Sequence, residues 1–103
     1  MSKRRVVITG LGIVSPVGNT VDQAWANILA GKSGIIRITR FDPTAFSAQI
    51  AGEVRGFDVT EYISAKEARR MDLFIHYGLA AGVQAIKDSG IVVTPRKRRA
   101  YWR

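Results

Sequence analysis

Residues 5–20 read RVVITGLGIVSPVGNT, and this stretch decides the fold class. Its first part, Arg5–Thr9, is a short β-branched run between charged residues and Gly10, which is typical of a strand buried on both faces. Such strands belong to parallel sheets, so the stretch predicts an α/β protein. The glycines that follow, with Pro16 among them, predict an irregular connection to the next element.

Two capping boxes predict where helices begin. Thr20 and Gln23 have the capping-box spacing at the start of a helix near Val21–Ala30. The apolar side chains that we expect on its core face are Trp25, Ile28 and Leu29. Ser64 and Glu67 form the second box and open a helical turn. The basic side chains of that turn, at i, i+3 and i+4 spacing on one face, are Lys66, Arg69 and Arg70.

The rest of the chain alternates turn signals with apolar segments. Two weak strand candidates, Ile35–Ile38 and Gln49–Val54, indicate a hairpin within a region that is mostly loop. A long helix is predicted at Asp72–Ser89, closed by Gly90. This helix is apolar nearly all round, which is typical of a helix inside a larger body, and its small residues predict a close backbone contact. Residues 91–94 are a further strand candidate.

Composition excludes several kinds of site. The 103 residues fit one small domain, and the absence of cysteine excludes disulfides, thiolate metal sites and a cysteine nucleophile within this chain. The single histidine, His76, excludes a site built on two histidines. We therefore expect His76 to be hydrogen-bonded rather than catalytic, and we expect neither a metal nor a cofactor.

The net charge of +8 is concentrated at one end of the chain. Residues 96–103 contribute five cations and no acid, so the remainder carries 11 − 8, or +3. Such a tail, with its interleaved aromatic residues, is typical either of a solvated terminus or of a nonspecific nucleic-acid contact, and we do not expect a nucleic-acid partner. The apolar run Leu73–Ile86 is too short to span a bilayer and no signal peptide is apparent, so we expect no membrane segment and a cytoplasmic protein.

The glycine pair Gly10 and Gly12 after a predicted strand raises the possibility of a dinucleotide-binding loop. Ser15 stands where a third glycine is needed, and the capped helix begins only at Thr20, too late to face a phosphate held by the glycines. The alternative is a structural turn between strand and helix. A short nucleotide-binding oxidoreductase fragment therefore stays open beside that simpler interpretation.

Read in order, several blocks of the sequence resemble the amino-terminus of the beta-ketoacyl-acyl-carrier-protein synthases of type II, members of the condensing-enzyme family. The blocks that carry the resemblance are 3–12, 15–20, Leu29-Ala30-Gly31, Ser33-Gly34-Ile35, Arg70-Met71-Asp72, 81–85 and Asp88-Ser89-Gly90. The resemblance covers about residues 1–94, and we interpret residues 95–103 as an unrelated basic tail. A truncated or frame-shifted coding sequence would produce such an ending.

The resemblance implies the amino-terminal, incomplete part of a thiolase-like α/β fold. Family members are homodimers that extend an acyl chain by decarboxylative Claisen condensation with malonyl-acyl carrier protein. They use one cysteine and two histidines, and His76 matches neither histidine, so no catalytic residue is assigned here. The family's docking patch for the acidic carrier protein matches Lys66, Arg69 and Arg70. We therefore expect an inactive piece of a condensing enzyme; the alternatives are a small carrier-protein-binding module and a basic nucleic-acid-binding module.

Overall fold

The computed structural model describes residues 3–95, and within them it contains helices and one small sheet. In chain order the elements are helix α1 (Val21–Leu29), strands β1 (Ile35–Arg37) and β2 (Ile50–Gly52), a 3-10 helix (Val59–Glu61), and helices α2 (Ala65–Ala68) and α3 (Leu73–Ser89). The predicted basic tail lies outside the described residues, except for Pro95. None of the helices described is both long and apolar enough to cross a lipid bilayer.

The hairpin forms where the turn-rich middle segment predicts it. Strands β1 and β2 pair antiparallel, with Ile35 opposite Gly52 and Arg37 opposite Ile50. Both strands are shorter than predicted. The second ends before Glu53, whose buried carboxylate accepts hydrogen bonds from the backbone amides of Thr39 and Arg40, which follow β1.

Helix α1 begins at its predicted cap, where the Gln23 amide donates to the Thr20 hydroxyl at 3.2 Å. The predicted core face is wrong: Trp25, Ile28 and Leu29 are 53–69% exposed, and the buried residue of this helix is Ala24. The reason is that Ala24 is the residue against which Gly18 packs. Of the larger side chains, Trp25 and Ile28 line an open pocket of about 210 Å³.

Helix α3 confirms the predicted long helix and ends at Gly90, which has a φ of 70° that favours glycine. Its close backbone contact is with residues 10–18, the irregular segment before α1 that we call the glycine connection. A Cβ placed on Gly12 would lie 1.9 Å from the Ala81 carbonyl oxygen. Gly78 and Gly82, in contrast, face nothing within 4 Å. The small residues of α3 therefore allow the backbone of the glycine connection to pack closely on one side of the helix, at Ala81 and Ala85.

The predicted strand at Arg5–Thr9 is absent. Side chains 6–8 are 71–91% exposed, and within residues 3–95 no backbone hydrogen bond reaches this run. The predicted parallel sheet needs neighbouring strands, and the described part of the chain supplies only the antiparallel pair β1–β2. Residues 91–94 are not a strand either.

The interior is correspondingly small. Apart from Pro43 and two glycines, Ala24 and Ala80 are the buried apolar residues of the described segment, and no large side chain in it is fully buried. The radius of gyration is 17.9 Å, against about 13 Å for a compact domain of 100 residues. Many large apolar side chains therefore face outward.

Candidate functional site

The candidate site is the basic surface formed by Lys66, Arg69 and Arg70, which we call the basic face. All three side chains are exposed, and within the described residues none of them takes part in an ion pair. Lys66 lies within α2, and Arg69 is the C-cap residue that follows it. The charges are therefore free to meet an anionic partner.

Helix α2 is four residues long, about the single helical turn that the capping box predicts. Its start is as predicted, because the Glu67 amide donates to the Ser64 hydroxyl at 3.2 Å. After Ala68 the backbone tightens: the Arg70 amide bonds to the Glu67 carbonyl at 3.0 Å, a 3-10 pattern. The spacing of Lys66 and Arg69 is thus helical, whereas Arg70 lies two residues beyond the last residue of the helix.

The segment that leads into α2 is held by three aromatic rings. The ring of Phe57 stacks on Tyr62 with 6.1 Å between centroids and meets Tyr77 of α3 edge to face at 5.3 Å. The Gln84 amide of α3 also donates to the Tyr62 hydroxyl at 2.9 Å. Ring packing and hydrogen bonding therefore hold the segment that precedes α2 against α3.

The carboxyl end of α2 is held by His76. Its Nε2 lies 2.8 Å from the carbonyl oxygen of Ala68, the last residue of α2. A carbonyl oxygen only accepts, so Nε2 carries the proton in this bond. His76 is hydrogen-bonded, as the sequence predicts, but its partner lies eight residues away across a break between helices. No periodicity or spacing rule identifies such a pair.

Arg40 is a cation that sequence reasoning did not select. Its Nη2 donates to the Tyr77 hydroxyl at 2.9 Å, and this bond raises the pKa of the guanidinium. Just before it, the Thr39 hydroxyl and amide bond to the buried Glu53 carboxylate and lower the pKa of that group. The loop of the hairpin thus brings a further positive charge to α3. It contacts Tyr77, the residue that follows His76 in the sequence.

The glycine connection has the geometry of a structural turn. The Leu11 amide donates to the Asp88 carboxylate at 3.0 Å, and the Ile13 amide donates to Gln84 at 3.2 Å. In a dinucleotide loop, free backbone amides receive the phosphate. Here α3 engages two such amides and occupies the space beside Gly12. The arrangement favours the structural interpretation over nucleotide binding.

Comparison with known proteins places this chain in a family. The family described as beta-ketoacyl synthase, N-terminal domain, matches residues 3–101. A 3-oxoacyl-acyl-carrier-protein synthase 2 from Vibrio cholerae serotype O1 is 61% identical over 93 residues, which are 90% of this chain and 22% of the relative. The Coxiella burnetii protein of the same name is 50% identical over 93 residues, with the same coverage. The chain spans less than a quarter of the length of these curated relatives.

A solved structure gives the same result at the level of the fold. The ishigamide ketosynthase/chain length factor superposes with a TM-score of 0.78 at 36% identity, covering 88% of this chain and 23% of the other. The predicted fold class is confirmed: the chain has the amino-terminal part of a thiolase-like α/β fold. By sequence and by fold, the chain belongs to the beta-ketoacyl synthase family, of which it matches the N-terminal domain.

Proposed function

We propose that this chain is the amino-terminal part of a condensing enzyme of fatty-acid synthesis and that it presents the docking surface for acyl carrier protein. The observation that carries the proposal is the basic face, whose Lys66, Arg69 and Arg70 side chains are exposed and free of ion pairs within residues 3–95. The names of the relatives, which specify an acyl-carrier-protein synthase, support the choice of partner. The intact enzyme is proposed to be a cytoplasmic homodimer.

The reaction proposed for the intact enzyme is decarboxylative Claisen condensation of an acyl group with malonyl-acyl carrier protein. It needs a nucleophile that holds the acyl group and donors that stabilise the developing oxyanion. This chain has no cysteine, and the Nε2 proton of its single histidine is directed at the Ala68 carbonyl. We therefore propose that residues 1–94 contribute docking rather than chemistry, and that the 103-residue chain has no turnover by itself.

The physical role of the basic face is to attract an acidic partner. Exposed charge pairs contribute only about 0.2–1 kcal/mol each, so one substitution to alanine has a modest effect. The summed field of several cations acts mainly on the association rate and is screened by salt. Docking through this surface therefore predicts a strong dependence of the association rate on ionic strength.

The test grafts residues 1–94 onto the remainder of a family enzyme and measures the association rate with acyl carrier protein. The triple variant Lys66→Glu, Arg69→Glu, Arg70→Glu is expected to associate about tenfold more slowly or worse at low salt. A matched triple reversal of exposed cations elsewhere, Lys3→Glu, Arg4→Glu, Lys32→Glu, changes the net charge equally and is expected to have a much smaller effect. Equal rates for the two triple variants, with both folded, would refute the docking assignment.

A further inference from the structure

We infer that His76 is a positioning residue for carrier-protein docking: through its hydrogen bond to Ala68 it fixes the end of α2, where the basic face is displayed. The inference rests on the proposed docking function. His76 does not itself belong to the basic face, because its side chain is half-buried. It acts on Arg69 and Arg70 through the backbone that carries them.

The first argument is the length of α2. A helix of four residues is far too short to be stable by propagation, so its conformation depends on contacts outside it. Its amino end has the Ser64 cap, but its carboxyl end lacks a glycine in the left-handed conformation, since Arg69 is right-handed with φ −66° and ψ −18°. The end of α2 therefore needs another means of fixing its direction.

The second argument is the position of the His76 bond. The Ala68 carbonyl accepts both the Met71 amide at 3.2 Å and His76 Nε2 at 2.8 Å. These two bonds use both lone pairs of the last carbonyl of α2. Arg69 and Arg70 lie inside the turn that the Met71 bond closes, so the ring of His76 fixes that turn to α3.

The third argument is that the two ends of α2 are attached to the same helix. Tyr77 contacts Phe57 in the segment that precedes α2. His76, the residue before Tyr77, is hydrogen-bonded to the carboxyl end of α2. Helix α3 therefore acts as a rigid base for the basic face. Loss of the His76 bond is expected to free one end of α2 while the other end stays attached.

The experiment compares two substitutions in the 103-residue chain. His76→Phe keeps a planar ring but has no donor, whereas His76→Gln keeps a side-chain N–H at a similar reach. We measure binding of acyl carrier protein and the hydrogen exchange of backbone amides. We expect His76→Phe to weaken binding about three- to tenfold, the effect of one typical hydrogen bond, and His76→Gln to restore most of it. Exchange at Arg69 to Met71 is expected to accelerate in His76→Phe while α3 stays protected.

Each outcome supports or overturns a distinct claim. If the triple reversal of the basic face weakens binding and His76→Phe does not, the docking surface stands and the role of His76 is wrong. If His76→Phe speeds exchange throughout α3, the histidine stabilises that helix and the positioning role is also wrong. If the unmodified chain does not bind, or if the triple reversal has no effect, the docking assignment fails and the inference fails with it.

Discussion

The run Arg5–Thr9 and the segment from Asp58 to Ser89 differ in how their backbone groups are satisfied. The first is strongly apolar but has neither backbone hydrogen bonds nor buried side chains within the described residues. The second is held by caps, by aromatic contacts and by side-chain bonds from α3. A strand needs hydrogen bonds from another strand, whereas a helix satisfies its own. Apolar composition alone therefore does not create structure in the first region.

The largest expected effect comes from breaking the contact between the amino-terminal connection and α3. In Gly12→Ala the new Cβ would lie 1.9 Å from the Ala81 carbonyl oxygen, so the connection must move away from the helix. We expect a loss of about 3 kcal/mol in the free energy of unfolding, the upper end of the usual cost of overpacking. Urea unfolding of the 103-residue chain, followed by circular dichroism, measures it.

Gly82→Ala is the matched control on the open side of the same helix. It makes the same chemical change where nothing lies within 4 Å. We expect it to stabilise the chain by up to about 1 kcal/mol, because alanine is the better helix former. Similar unfolding midpoints for the two variants would show that α3 does not hold the connection.

The second-largest expected effect is a loss of unfolding free energy at acidic pH, through Glu53. The Thr39 hydroxyl, then the Thr39 amide and the Arg40 amide, lower the pKa of Glu53 in the folded chain. A lowered pKa means that the stabilisation is complete above the unfolded pKa, about 4.3 for glutamate, and is lost as the pH falls through the folded value. We expect the unfolding free energy to fall in that acid range. Thr39→Val, which removes the strongest donor, is expected to flatten the dependence, and an unchanged slope would contradict this assignment.

A smaller effect is expected at the start of α1. Thr20→Ala removes the hydroxyl that accepts from the Gln23 amide and is expected to cost about 1 kcal/mol. Thr20→Ser keeps that hydroxyl and should stay near the parent chain. The free energy of unfolding in urea compares the three proteins, and equal losses in both variants would argue against capping as the cause.

The smallest effect is expected in the amino-terminal run. Val7 is 71% exposed, so Val7→Lys should change the free energy of unfolding by less than about 0.5 kcal/mol. Backbone amides 6–9 should exchange with solvent rapidly, whereas those in the middle of α3 should be protected. A loss of more than 1 kcal/mol, or slow exchange at these amides, would mean that the run is packed after all.

The elements that the sequence predicts correctly share a local cause. Thr20 with Gln23 and Ser64 with Glu67 are three residues apart, so each cap is fixed by neighbours in the chain. The glycine after α3 ends that helix by its own backbone freedom, and turn residues bring the two short strands together. The ordered motifs also suffice to identify the family.

Tertiary structure decides which surfaces are buried and which distant groups meet. The capping box places α1 but does not determine that Ala24 is buried while Trp25 is exposed, because burial depends on what lies opposite each face. The bond from His76 to Ala68 joins two helices, and the amides of the glycine connection meet Asp88 and Gln84 more than seventy residues later. The sequence by itself determined the starts of α1 and α2 and the end of α3, because capping acts over a few residues. Only the tertiary structure decided how α2 and its basic face are held, because those contacts come from segments separated along the chain.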